Sequence, residues 1–377
     1  MGDPAMDPRL VAASQQDATR RSMSCTGTML SHVSRRLVFT GVVSATLASA
    51  AFVTVAFDCP VAAVADENLL GLPQPLDPAK PGAVMLHGGG RISNDTFEKF
   101  IELAGGREAR IVFVPSAGYR VDSYEDEAAF LAAVGYRYSS WAALPAKGKV
   151  RDFRFLYTDN PADSQKPEFT RALEQATGVW FSGGFQSRLN ERYVGAPNTQ
   201  TRFQRELRAV VERGGIVGGT SAGMAAMPQV MTLWEDRVMV TSPASAVAAH
   251  GLGLLTKAIV EQHFDARGGR LERFTGLLRD NSQLDKLADR RGAGEQMIGL
   301  AVEEHTALIA KQDQLDVVGE RRAHVFFKGQ ASKTLSWHEL EAGDVARLKR
   351  EVPERRQAEF QLVFDVGTPP SDAAAAK

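Results

Sequence analysis

The stretch Gly215-Ile216-Val217-Gly218-Gly219-Thr220-Ser221-Ala222-Gly223 runs an apolar strand straight into a serine set between glycines. Small residues on both sides permit a sharp strand-to-helix turn that lifts the serine side chain clear of a sheet. The continuation Ala222-Gly223-Met224-Ala225-Ala226-Met227 is compatible with a helix. Ser221 then stands at a helix N-terminus, where backbone N–H groups and the helix dipole favour a developing oxyanion. The N–H of Ala222 is the first donor such an oxyanion would meet. The plainer alternative is a turn that is merely rich in glycine and serine. The strand before it and the helical run after it favour a nucleophile.

Upstream, short apolar runs alternate with helix-like segments. Strands are predicted at Ala83–Leu86, Arg110–Pro115, Phe153–Thr158 and Gly178–Ser182, and helices at Asp95–Leu103, Glu168–Ala176 and Thr201–Arg213, with Asp95 as an N-cap. Strands separated by helices imply a mostly parallel, doubly wound α/β sheet. After Gly251 the pattern turns to short strands of hairpin type: Lys257–Glu261, Ile298–Val302, Ala307–Lys311, Leu315–Gly319 and Val325–Lys328. Trp337–Lys349 reads as a late helix, and residues 365–377 as a disordered tail.

A serine of ordinary pKa needs a base, and the base needs a group that fixes its tautomer. The chain has seven histidines. His263 closes the strand-like run Lys257–Gln262 and precedes an arginine-dense segment, so a rigid strand end aims it. His250, His305, His324 and His338 carry no comparable cue and read as packed or solvated. Glu303 and Glu304 follow the apolar strand Ile298–Val302; neighbours on a strand face opposite sides, so only one can serve.

These blocks resemble the cyanophycinase and peptidase E group of serine peptidases. The resemblance rests on Gly219–Gly223, then Glu261-Gln262-His263-Phe264 with its trailing arginines, then Leu300–Leu308. Upstream it continues in Leu86–Ile92, Ala104–Gly118 and Trp180–Gln186, and it covers roughly 83–312. It implies a sheet of the class I glutamine amidotransferase type, with Ser221 as nucleophile, His263 as base and Glu304 as the base's partner. It further implies a second oxyanion N–H from the pair Gly183-Gly184, assigned to Gly184, and a pocket of Gln186, Gln262, Arg267, Arg270 and Arg273. In that group such residues hold the β-Asp-Arg unit of an arginine-bearing polyaspartate, cyanophycin. Arginines suit the task, since a guanidinium grips a carboxylate with two prongs; their i, i+3, i+6 spacing also fits a solvated helix face. The chain departs from the group at Glu261, where aspartate is usual, in the extra residue of Arg267-Gly268-Gly269-Arg270, in the long insert 280–296, and at His305.

The N-terminal region reads differently. Arg35-Arg36, the uncharged run Leu37–Phe57 and Ala63-Val64-Ala65 together describe a secretory signal peptide, with Met23 and Met29 as alternative starts. The expected organisation is signal and extension over 1–65, a linker over 66–82 and a hydrolase domain over 83–364. The protein is thus expected to be exported, periplasmic or extracellular; if 37–57 were retained it would anchor the chain in a membrane. Both cysteines, Cys25 and Cys59, precede the cleavage site, so the mature chain would use no thiol chemistry.

A net charge of −1 over 377 residues argues against a nucleic-acid partner. Gly88-Gly89-Gly90-Arg91 lacks the lysine of a P-loop and the spacing of a dinucleotide site, and no metal-ligand cluster is evident; no cofactor or metal is expected. The partner is then a peptide substrate, and a homodimer is compatible with the reading. Two alternatives differ in class. His87-Gly88-Gly89-Gly90 with Gly219–Gly223 would suit an α/β-hydrolase esterase or lipase, but the order serine, histidine, acid is wrong for that fold. A non-catalytic exported binding protein is the other.

Overall fold

A helix between two strands returns the chain to the edge it left, so such strands align in parallel. The computed structural model describes residues 68–196, 199–233, 247–328, 335–351 and 359–364; the expected signal segment and tail, 1–65 and 365–377, lie outside the described residues. Its first five strands are β1 (Ala83–His87), β2 (Arg110–Val114), β3 (Asp152–Phe155), β4 (Gly178–Phe181) and β5 (Ile216–Thr220). They run parallel in the order β1-β5-β4-β2-β3.

The helices along this half are α1 (Asn94–Leu103), α2 (Glu127–Arg137), α3 (Ser139–Ala142), α4 (Pro167–Glu174), α5 (Gln186–Tyr193), α6 (Arg202–Glu212) and α7 (Ala222–Ala225). They cover both faces. Val84, Leu86, Val179 and Val217 pack with Leu173, Leu189, Phe203 and Leu207 on one side. Met85, Ile111, Trp180 and Ile216 pack with Phe100, Ile101 and Trp141 on the other. Strands buried on both faces read as unbroken apolar runs, which is why they were visible without alternation. The two helix starts differ in chemistry. Thr201 and Gln204 close a capping box on α6. On α1 the cap is Ser93, which accepts from the Thr96 N–H, while the expected cap Asp95 lies in the first turn, where its charge complements the dipole.

The C-terminal half adds β6 (Val230–Leu233), β7 (Val247–His250), β8 (Ala258–Glu261), β9 (Ile298–Val302), β10 (Thr306–Lys311), β11 (Gln314–Gly319), β12 (Arg322–Lys328), β13 (Leu335–Glu341), β14 (Val345–Glu351) and β15 (Glu359–Phe364), with helices α8 (Arg270–Arg279) and α9 (Asn281–Leu287). The antiparallel strands β10, β11, β14 and β15 extend the main sheet beyond β1. A second sheet runs β13-β12-β9-β8, and β6 pairs with β7. The expected hairpin character holds for β10–β11, whereas β8 and β9 are parallel, with α8 and α9 between them.

Two expectations fail here. Trp337–Lys349 is not a helix but most of β13 and β14, joined by a turn at Ala342–Asp344. Buried Ala346 and Leu348 alternate with exposed Arg347 and Lys349, a period of two that sheet pairing exploits. Nor is 66–82 a loose linker over its described part: Leu69, Leu70 and Leu72 are buried in the core, and the Leu69 N–H donates to Asp313 Oδ1 at 2.7 Å. Burying each leucine is worth about 1.5–3 kcal/mol, so this segment is part of the domain.

Candidate active site

The groups around Ser221 follow strand ends of two sheets, β1, β4 and β5 of the main one and β8 and β9 of the second. In open α/β sheets the crevice beyond the carboxyl ends of parallel strands is where ligands bind. Ser221 follows β5, His87 closes β1, Ser182-Gly183-Gly184 follow β4, Gln262-His263 follow β8, and Glu303-Glu304-His305 lead from β9 into β10. Ser221 has φ 54 and ψ −117, and His263 has φ 47, conformations that side chains with a Cβ rarely adopt. Such strain is held only where the surroundings over-determine it, and it clusters at functional sites.

The surroundings here are one loop. Ser221 N–H donates to the His87 carbonyl at 2.9 Å, His263 N–H to the Gly88 carbonyl at 2.8 Å, and His305 N–H to the Gly89 carbonyl at 2.9 Å. Three successive carbonyls thus pin three segments distant in sequence. Gly89, with φ +130, must be glycine: a Cβ there would stand 2.2 Å from Cε1 of His263. The loop that an esterase would use as an oxyanion hole here packs against the His263 imidazole.

On this frame Ser221 Oγ is 2.7 Å from His263 Nε2, and His263 Nδ1 is 2.5 Å from Glu304 Oε1. A neutral ring that donates Nδ1–H to Glu304 leaves Nε2 free to accept the serine proton. Burial holds the His263 pKa below the ordinary imidazole value against the opposing pull of Glu304, and Arg267 and Arg270 push it the same way as burial. The His263 ring is therefore held in its neutral form at neutral pH. Ser221 Oγ also lies 2.8 Å from Gln262 Oε1, so its one proton has two acceptors, Gln262 Oε1 and His263 Nε2. Glu303 faces away and meets His324 Nε2 at 3.0 Å, which separates the two carboxylates the sequence left as alternatives.

The remaining expected residues divide. Ala222 opens α7 directly after Ser221 and is buried. Of the glycine pair, Gly183 lies against Ser221, since a Cβ there would be 3.7 Å from Ser221 Oγ. Gly184, with φ +147, turns against the Ala117 carbonyl, where a Cβ would come within 2.1 Å. Gln186 is buried at the start of α5 and donates to the Thr232 carbonyl at 2.9 Å. Arg267 is exposed, and its charge reaches His263. Arg270 and Arg273 differ from the expected open pocket: they are only 2% and 4% exposed. The Arg270 guanidinium is bonded to Glu261, and Arg273 Nε donates to the Gly269 carbonyl at 3.1 Å. Glu261 Oε1 also accepts from the Gln262 N–H at 3.1 Å, so the Glu261–Arg270 pair braces the turn that presents Gln262 and His263.

His87, which the sequence did not mark as part of this frame, belongs to it. It is fully buried, with Nδ1 2.8 Å from Thr220 Oγ1, and its pKa is pushed down to about 3, chiefly by burial and then by His305 and His263. It stays neutral beneath the site. Its position before three glycines was the available signal. Among the described residues no group of His, Cys, Asp and Glu is arranged to hold a metal ion.

Residues 84–318, well over half of the chain, match the model of peptidase family S51. A cyanophycinase from Synechococcus elongatus is 28% identical over 215 residues, covering 57% of this chain and 57% of that protein. One from Geminocystis herdmanii (strain PCC 6308) is 24% identical over 228 residues, covering 60% of this chain and 72% of that protein. The match thus spans little more than half the length of the Synechococcus protein. Among solved structures, a peptidase from an acI-B1 actinobacterium superimposes with a TM-score of 0.49 at 20% identity, covering 71% of this chain and 97% of that one. With the family model spanning the strands that carry Ser221, His263 and Glu304, the chain belongs to peptidase family S51.

Proposed function

We propose that this chain is a serine-type peptidase that acts through Ser221, His263 and Glu304 on a cyanophycin-like substrate, releasing β-Asp-Arg units. The observation that carries the reading is the continuous line Ser221 Oγ, His263 Nε2, His263 Nδ1, Glu304 Oε1, with spacings of 2.7 and 2.5 Å at its two contacts.

In the first step Oγ bonds to the scissile carbonyl carbon as its proton passes to His263 Nε2. The negative charge gathers on the carbonyl oxygen, beside the backbone N–H groups of Ala222 and the Gly183-Gly184 pair. Removing one such donor typically costs 10²–10³ in rate. Glu304 stabilises the imidazolium without taking its proton. Collapse breaks the C–N bond, and His263 returns the proton to the departing amine. Water then repeats the sequence on the acyl-serine, with His263 accepting its proton and Ser221 leaving.

Substrate identity rests on Arg267, an exposed guanidinium close enough to influence His263, and on the cyanophycinase relatives. A peptide bearing free carboxylates beside the scissile bond suits that charge. The cleavage pattern after Ala65 makes the working form an exported one beginning near Asp66, just ahead of the buried Leu69. Incubation of the purified chain with insoluble cyanophycin, β-Asp-Arg peptides and a p-nitrophenyl ester tests the reading. β-Asp-Arg should appear in solution and be absent with Ser221→Ala. Ester cleavage with no release from either peptide substrate would overturn the substrate class.

A further inference from the structure

Beyond Ser182-Gly183-Gly184 the chain enters α5 through Phe185, whose ring is 51% exposed. A lone exposed ring is ordinary. This one carries a guanidinium: Cζ of Arg188, one turn further along α5, sits 4.4 Å from its centroid. A single carbonyl fixes the pair. The Ala117 oxygen accepts from the Phe185 N–H at 2.9 Å and from Arg188 Nη1 at 3.3 Å, and Gly184 presses so close that a Cβ would stand 2.1 Å from it. On its other side the glycine pair meets the serine, since a Cβ on Gly183 would be 3.3 Å from Ser221 Cβ. Ser221, Gly183-Gly184, Ala117 and Arg188 are thus one packed line.

The neighbouring arginines have carboxylates of their own. Arg192 Nη1 donates to the carbonyls of Ser116 at 2.6 Å and Tyr119 at 3.0 Å, and its guanidinium pairs with Asp159. Arg120 pairs with Asp122 at 2.5 Å. Among the described residues no carboxylate pairs with Arg188. Burial first, then the charges of Arg192 and Arg120, push its pKa below the ordinary guanidinium value. An anion arriving beside it would offset both effects.

We propose that Arg188, stacked on Phe185, is a specificity-determining residue that holds a carboxylate of the substrate on the oxyanion side of Ser221. The inference rests on the reading of the chain as a serine peptidase for β-Asp-Arg peptides. Stacking occupies the face of the guanidinium and leaves its N–H edge, less the one bond to Ala117, to grip a carboxylate. Arg267 follows the base and Arg188 follows the glycine pair, so Ser221 stands between two arginine-bearing segments. With Arg270 and Arg273 buried, Arg188 supplies the second cation that the arginines after His263 do not. A substrate whose charged units repeat on both sides of the scissile bond suits that arrangement.

The test uses short synthetic oligomers of β-Asp-Arg, intact and with single carboxylates converted to carboxamides, on the full chain and on Arg188→Gln, Arg188→Lys and Phe185→Ala. Arg188→Gln should lower kcat/KM on the intact oligomer at least about tenfold. On the amidated form that lacks the contacted carboxylate it should cost less than about threefold, because wild type has already lost that contact there. Arg188→Lys should fall between, since an ammonium lacks the fork. Phe185→Ala removes only the stack and should raise KM by about threefold more than it lowers kcat. Thermal melts check that each variant is folded; should Arg188→Gln fail to fold, the other two variants carry the comparison. A loss equal on every oligomer, amidated or not, would make Arg188 a brace for loop 115–124 and overturn the proposal. Wild type that takes a fluorophosphonate on Ser221 yet cleaves no oligomer would instead overturn the substrate reading, and the clamp with it.

Discussion

Two histidine–glutamate pairs lie back to back where β9 ends. Glu304 meets His263 at 2.5 Å on one face, and Glu303 meets His324 at 3.0 Å on the other. Each joins an imidazole to a glutamate Oε1, through Nδ1 of His263 and Nε2 of His324, and both imidazoles are nearly buried, at 6% and 5% exposed. What differs is the far side of each ring. His263 presents Nε2 to Ser221 Oγ at 2.7 Å, whereas His324 has Glu339 at 4.0 Å and the Phe264 ring packed at 4.9 Å. A carboxylate orients an imidazole in both places; only one imidazole has a hydroxyl to deprotonate and strained backbone on each side of that contact. The pair in the second sheet ties β12 to the end of β9; the other is the one proposed to serve chemistry.

The sharpest way to break this comparison is to remove the hydroxyl. Ser221→Ala should lower turnover by roughly 10⁴–10⁶-fold with the fold intact. His263→Ala should fall nearly as far, and the double variant little further, because the two act as a unit. His324→Ala should instead leave kcat/KM per folded molecule within about threefold and lower stability by about 1–3 kcal/mol, through the lost hydrogen bond to half-buried Glu303 and the lost packing against Phe264. Thermal melts beside kinetics separate the two effects. A large kinetic loss at His324 would make the two pairs equivalent and dissolve the distinction.

Next in size are the carboxylates. Glu304→Gln should cost about 10³–10⁴ in kcat, since an amide can no longer hold the imidazole with Nδ1–H and stabilise its cation. Glu303→Gln should cost much less. Reversal of that order would mean that the orientation at the end of β9 is exchanged in the working enzyme.

A smaller effect concerns substrate. Arg267→Lys should lower kcat/KM for β-aspartyl peptides at least about tenfold more than for small esters, because an ammonium cannot reproduce a two-pronged carboxylate grip. Equal losses on both substrates would make Arg267 a structural residue.

The smallest effect on rate, though not on stability, belongs to His87. Its folded pKa of about 3 lies well below the ordinary value near 6.5, so the unfolded chain binds the proton first. Its contribution is complete above about pH 6.5 and is lost as pH falls toward 3. Between pH 7 and 4.5 this amounts to about 2–3 kcal/mol. Denaturation of wild type and His87→Asn at both pH values checks it: the variant should lose less. A parallel decline would assign the acid sensitivity to other groups.

What the sequence disclosed and what it hid divide along the same physical line. The parallel strands and the turn at Ser221 were legible because apolar runs and small residues act locally. His263 could be singled out since it closes a strand. Glu303 and Glu304 could not be told apart from spacing alone, because the face each takes depends on how β9 meets β12 and β8 in space. The arginines at 267, 270 and 273 share a spacing, yet pairing with Glu261 draws Arg270 inward while Arg267 stays exposed. Residues 337–349 are rich in helix-forming Glu, Leu, Ala, Arg and Lys, and pairing with β12 and β11 overrode that propensity. The glycine loop's role was invisible for the same reason, since all three of its anchoring carbonyls reach residues far along the chain.

The most direct test of the central claim is where, and how fast, a fluorophosphonate attaches to the purified chain at neutral pH. A serine becomes a nucleophile only when a base takes its proton. A single adduct is expected, on Ser221 by peptide mapping, formed rapidly in wild type and in His324→Ala and slowed at least about 10²-fold in His263→Ala. An adduct on another serine, or labelling of Ser221 at the same rate without His263, would contradict it.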